Sequence, residues 1–123
     1  MISETLDLKI VRDENTYRLF YMDNNQVAVL FGVSPKIINQ VYKEIDRAIN
    51  KKVTRPIEWE QAEELETYTC SIYPRYNKNT GTVMITINND SYNGYHTTNK
   101  FIITLDKAKA LNQNLFNEYQ LLK

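Results

Sequence analysis

The run Gly32-Val33-Ser34-Pro35 constrains this chain more than any other feature. A serine followed by proline opens a helix: the hydroxyl caps a free backbone N–H, and proline's fixed φ suits the first helical position. Beyond it, Ile38, Val41, Tyr42, Ile45 and Ile49 recur at helical spacing, so a helix is predicted to about Lys51. It breaks at Val53-Thr54-Arg55-Pro56. Before it, Asp23 with Gln26 has the form of a capping box, and Val27, Leu30 and Phe31 also fall at helical spacing, ending at Gly32. The pattern predicts two short helices crossing at a tight turn, with Ala28 as the small residue at the crossing. A plain αα-hairpin that merely packs fits the apolar spacing equally well.

The flanks have the strand period. Leu6, Leu8 and Ile10 alternate with Asp7 and Lys9, Asp13 to Thr16 has turn composition, and Tyr17 to Tyr21 is a second run. Together they predict an N-terminal β-hairpin. Glu58 to Glu66, with Trp59, Ala62 and Leu65, has the spacing of a short acidic helix. Tyr68 to Tyr73 and Thr82 to Ile87 are β-rich runs joined through Pro74 and the turn residues Asn79-Thr80-Gly81. Ser91 to Asn99 is polar and has loop composition. Phe101 to Leu105 is a further strand, and Asp106 opens a last helix carrying Ala110, Leu111, Leu115 and Tyr119. No internal repeat is visible. The fold class expected is α+β: a β-hairpin with two crossed helices over residues 1–55, then a small antiparallel sheet closed by a C-terminal helix over 56–123, the two regions forming either separate units or one compact domain.

At 123 residues the chain suffices to bury a core without metal or disulfide support. Its one cysteine, Cys70, falls in a strand run and suits a packing role in a reducing, cytoplasmic setting. No apolar run is long enough to cross a bilayer, and the N-terminal residues lack a signal pattern. Net charge is zero, but it is unevenly distributed. Lys36, Lys43, Arg47, Lys51, Lys52 and Arg55 stand against only Glu44 and Asp46 from 36 to 55, followed by the acidic stretch from Glu58 to Glu66. Such polarity gives one face on which phosphate is attracted.

The residues Asn24 to Lys43, with Ala28, Gly32, Ser34 and Pro35 at their characteristic intervals, resemble the helix-turn-helix of phage and plasmid DNA-binding proteins. The hairpin leading into it is similar to the layout of RhuM-like regulators, and the segment from Pro35 to MerR-type and excisionase-type modules. The resemblance spans residues 17 to 50 and departs from the MerR pattern after Lys43. It implies a second helix lying in the major groove of double-stranded DNA. That places Ser34, Lys36, Ile37, Asn39 and Gln40 at base edges, with Lys43 and Arg47 further along and Lys51, Lys52 and Arg55 on phosphates. A regulator or accessory factor of a mobile element, acting as a homodimer, is the role implied, with residues 56–123 offering dimer or protein contacts.

A rival expectation is a protein-binding inhibitor whose acidic stretch mimics phosphate. The aromatic residues Tyr68, Tyr73, Tyr76, Tyr92, Tyr95 and Phe101 suit an interface or, less commonly, base stacking. His96 stands alone in a polar segment, the glycines are scattered, and neither a catalytic constellation nor a cofactor is implied.

Overall fold

A computed structural model describes residues 6–13, 16–23, 26–63, 66–91, 94 and 96–121. Among the described residues, seven strands and two helices follow in the order β1 (Asp7–Asp13), β2 (Thr16–Asp23), β3 (Gln26–Val33), α1 (Pro35–Ile49), β4 (Ile57–Glu63), β5 (Glu66–Asn77), β6 (Thr82–Ser91), β7 (His96–Thr104) and α2 (Leu105–Gln120). They form two antiparallel sheets, β1-β2-β3 and β4-β5-β6-β7.

This corrects the expected fold class. The N-terminal hairpin, the helix after Ser34, the hairpin around Gly81 and the last helix are present. Gln26–Val33, however, is a third strand, paired antiparallel with β2 from Tyr17↔Val33 to Asp23↔Gln26. With α1 the only helix in the first half among the described residues, the helix-turn-helix is not formed. A seven-residue apolar run, Val27 to Val33, fits either a short helix or a buried strand, and periodicity alone does not separate them. Three valines in that run favour the strand, since β-branched side chains lose rotamer freedom in a helix. Gly32 is likewise extended and not a positive-φ turn residue; that conformation occurs at Gly81 (φ 68°) and Gly94 (φ 90°).

Ile57–Glu63 is also a strand instead of an acidic helix. Trp59 and Gln61 are buried while Glu58 and Glu60 are exposed, which is the alternation of a half-buried strand. The segment expected as a loop supplies the last residue of β6 and the first four of β7, where Asp90 pairs with His96 and Asn88 with Thr98. The last helix starts two residues earlier than Asp106 suggested, because the Thr104 hydroxyl accepts from the Lys107 N–H at 3.2 Å.

The two sheets meet along β3 and β4. There, the Gly32 N–H donates to Gln61 Oε1 at 2.6 Å, and the Trp59 indole N–H donates to the Gly32 carbonyl at 3.0 Å. Both polar groups of that edge residue are thereby satisfied by side chains of the other sheet. At the opposite side Tyr21 of β2 packs edge-on against Phe101 of β7, with ring centroids 5.1 Å apart, and accepts a hydrogen bond from Asn99.

The helices are placed reciprocally. α1, which follows the first sheet, packs on β4 and β5 of the second; α2, which follows the second, packs on β1 of the first as well as on β6 and β7 of its own. They share an internal correspondence at an offset of 70 residues: N-caps Ser34 and Thr104, and buried positions Ile38/Ala108, Val41/Leu111 and Ile45/Leu115. The two also touch at equivalent positions, the Asn112 amide donating to the Tyr42 carbonyl. One hydrophobic core results, running from Leu6, Leu8 and Leu19 through both helices to Ile72, Val83, Ile85 and Ile103. Cys70 lies within it. Among the described residues, no helix is long and apolar enough to cross a membrane.

Candidate functional site

Where α1 ends, the chain is turned back by a set of short bonds. The Lys51 N–H donates to the Ala48 carbonyl at 3.0 Å and the Lys52 N–H to the Arg47 carbonyl at 2.9 Å, the paired bonds of a Schellman stop. Arg47 Nε donates to the Val53 carbonyl at 3.1 Å, and the Arg55 N–H to Glu44 Oε1 at 2.8 Å, so the connector is tied along the helix it has just left. The buried Thr54 hydroxyl donates to the Pro74 carbonyl of β5. Pro74 lies beyond the end of β4, where its missing N–H breaks no ladder bond.

Opposite the connector stands the end of the β5–β6 hairpin. Its turn is fixed by the Asn77 carbonyl, which accepts from Gly81 at 2.8 Å, and by Asn77 Oδ1, which accepts from the Asn79 N–H at 2.9 Å. Between connector and hairpin lies an open cleft of about 740 Å³. Lys51, Lys52, Arg75 and Lys78 line it together with Tyr73 and Tyr76, and no carboxylate is among the lining residues. Each ring carries a cation on its face: the Arg75 guanidinium lies 5.0 Å from the Tyr73 centroid and Lys51 Nζ 5.6 Å from that of Tyr76. The four cations are exposed and the two rings half-buried. The protein as a whole has no net charge, so this concentration of one sign is local.

Chemically, the cleft offers point charges for anions and flat apolar faces for planar groups, held on a braced framework. Arg75 adds a planar donor fork suited to phosphate.

The residues expected from the sequence to contact DNA are partly dispersed. Lys51 and Lys52 are in the cleft. Arg55, Gln40 and Lys43 border a separate, smaller recess of about 400 Å³ that also contains Glu44 and Glu58, so its charge is mixed. Ser34 is spent as the cap of α1, accepting from the Ile37 N–H at 3.3 Å. Ile37 packs half-buried against the core, and Asn39 is half-buried as well. Lys36, Lys43 and Arg47 are exposed along α1. Without a preceding helix to set it against a groove, α1 has no recognition-helix framework.

Sequence reasoning named Tyr73 and Tyr76 as aromatic residues but missed Arg75 and Lys78. The signal was the alternation Tyr73-Pro74-Arg75-Tyr76-Asn77-Lys78, rings interleaved with cations on one strand end. His96 is also not a loop residue: in β7 it is hydrogen-bonded to Asp90 across the strands and lies 3.2 Å from the Thr98 hydroxyl. Thr98 in turn donates to Asn88 Oδ1 at 2.7 Å, and the Asn88 amide to Ser71 at 3.2 Å. On that outer sheet face the polar side chains are therefore committed to one another.

No family model matches the chain, and no curated protein does. Among solved structures, that of the plant transcriptional regulator PBF-2 is similar over 93% of this chain and 71% of that one, at 8% sequence identity and a TM-score of 0.47.

Proposed function

We propose that the protein binds single-stranded nucleic acid through the cleft between the α1–β4 connector and the β5–β6 hairpin. One observation supports this above the rest: four cations and two tyrosine rings line one open concavity with no carboxylate among them. Cations neutralise a phosphodiester backbone, and aromatic rings stack on unpaired bases, each stack contributing about 1–3 kcal/mol. A duplex hides its base faces, so the rings favour the single strand. This replaces the duplex reading through a helix in the major groove. An accessory or regulatory role on nucleic acid, as the sequence suggested, is retained within the proposal.

The test is fluorescence anisotropy with a labelled oligothymidylate of about 20 nucleotides and a duplex of the same length, across a salt series. The single strand is expected to bind more tightly. If all four cations meet phosphates, the slope of log K against log salt is about −3. Reversing two charges, Lys52→Glu with Arg75→Glu, is expected to weaken binding at least tenfold. No binding at micromolar protein and low salt, or a clear preference for the duplex, refutes the proposal.

A further inference from the structure

Among the described residues, Lys51 is the one non-glycine with positive φ, at 62°. It occupies the position after the C-cap Asn50 in the Schellman stop of α1, where the backbone turns left-handed. Glycine is the usual occupant because a Cβ there crowds the following carbonyl; asparagine is the usual substitute because its short side chain bonds locally. Lysine has neither advantage. A glycine ends the helix just as well, so the backbone alone gives no reason for lysine.

The side chain supplies one. Lys51 Nζ lies over the Tyr76 ring, and both residues line the cleft. An exposed cation–π contact is at the weak end of its range and does not more than offset a strained backbone. Strain of this kind persists where the site uses the residue. We infer that Lys51 stands in glycine's place because it and Tyr76 act as one recognition unit, the ammonium engaging a phosphate and the ring the base of the adjoining nucleotide. This inference rests on the single-strand reading of the cleft.

Lys51→Gly, Lys51→Arg, Tyr76→Leu and the Lys51→Gly/Tyr76→Leu double variant, all in the full chain, test it. Thermal unfolding and oligothymidylate binding are read side by side. Lys51→Gly is expected to raise Tm by about 2–5 °C, since glycine relieves the left-handed strain. The same variant is expected to bind about five- to tenfold more weakly and to lose about 0.7 from the salt slope, the share of one phosphate on a single strand. Lys51→Arg keeps the charge and is expected to bind within twofold of the parent at unchanged Tm. The double variant is expected to lose less affinity than the product of the two single losses, the signature of residues acting together.

Parental affinity in Lys51→Gly, alongside lost binding in the Lys52→Glu/Arg75→Glu protein, overturns this inference and leaves the cleft standing. A lowered Tm in Lys51→Gly overturns the strain argument. Unchanged binding in every variant overturns both the inference and the proposed function.

Discussion

Glu118 shows how one side chain can stand in for a missing strand. On β1, at the edge of the first sheet, the Ile10 N–H donates to Glu118 Oε2 of α2 at 2.9 Å. Burial raises the Glu118 pKa above its ordinary value; the Ile10 hydrogen bond and the nearby Lys9 charge oppose that shift, and Asp7 adds to it. The folded state therefore holds the proton more tightly than the unfolded chain does. The stability this contributes is fully present below the ordinary carboxylate range and is lost as pH rises through the raised folded value. Glu118→Gln keeps an oxygen to accept from Ile10 and removes the titration. The variant's stability relative to the parent is expected to improve between pH 4 and pH 7, by no more than about 0.5 kcal/mol because the group is partly exposed. Urea unfolding at the two pH values measures it, and a variant that loses ground toward neutral pH shows the carboxylate charge to be net stabilising.

At the scale of elements, the seam between α1 and α2 holds the one buried side-chain polar atom left without a partner among the described residues. Asn112 is 4% exposed, and its amide reaches the Tyr42 carbonyl at 3.3 Å while its Oδ1 has no donor. Around it the seam is apolar, with Val41, Leu111 and Leu115 buried and Tyr42 stacked on Phe116 at a centroid distance of 4.9 Å. Removing an unsatisfied acceptor from such a place relieves a desolvation cost of about 1–3 kcal/mol. Asn112→Leu is thus expected to stabilise the protein by about 1 kcal/mol, after allowing for repacking, as a raised urea midpoint at unchanged slope; an equal loss shows the Tyr42 hydrogen bond to outweigh the orphan oxygen. Both helices were legible in the sequence, since their apolar residues recur every three or four positions after a capping side chain, although the second cap is Thr104 and not Asp106. Strands β3 and β4 were not. In β3 a continuous apolar run fits the helical spacing of Val27, Leu30 and Phe31 as well as a strand, and in β4 the alternation of Ile57, Trp59 and Gln61 with Glu58 and Glu60 competed with an equally spaced Trp59, Ala62 and Leu65. What decides both is pairing with a strand distant in sequence, which local spacing does not encode.

At the scale of the whole molecule, the exchange of helices between sheets determines where the cleft is. One wall follows α1, in the first half; the other is the β5–β6 hairpin of the second, and they face each other because α1 docks on β5. Hence Lys51 and Lys52 were visible in the sequence as cations and Tyr73 and Tyr76 as rings, but nothing local placed the Tyr73–Lys78 segment opposite Lys51 and Lys52. Separate docking of each helix on its own sheet would leave two half-cores, and the observed packing instead makes each sheet depend on the other half's helix. Leu8 of β1 and Ile72 of β5 are buried in the same core, and α2 packs on β1 as α1 does on β5. The prediction is one cooperative unfolding transition for the full chain. Trp59, the single tryptophan, sits at the β3–β4 junction and reports the contact between sheets by fluorescence, while far-UV circular dichroism reports secondary structure throughout. Under urea the two signals are expected to coincide. Residues 1–55 and 56–123, produced separately, are each expected to lack a cooperative transition and to bind oligothymidylate at least tenfold more weakly than the intact chain. Two separated transitions, or a fragment that folds alone, would mean that the exchanged helices join two independent domains, and the cleft would then be an interface between them.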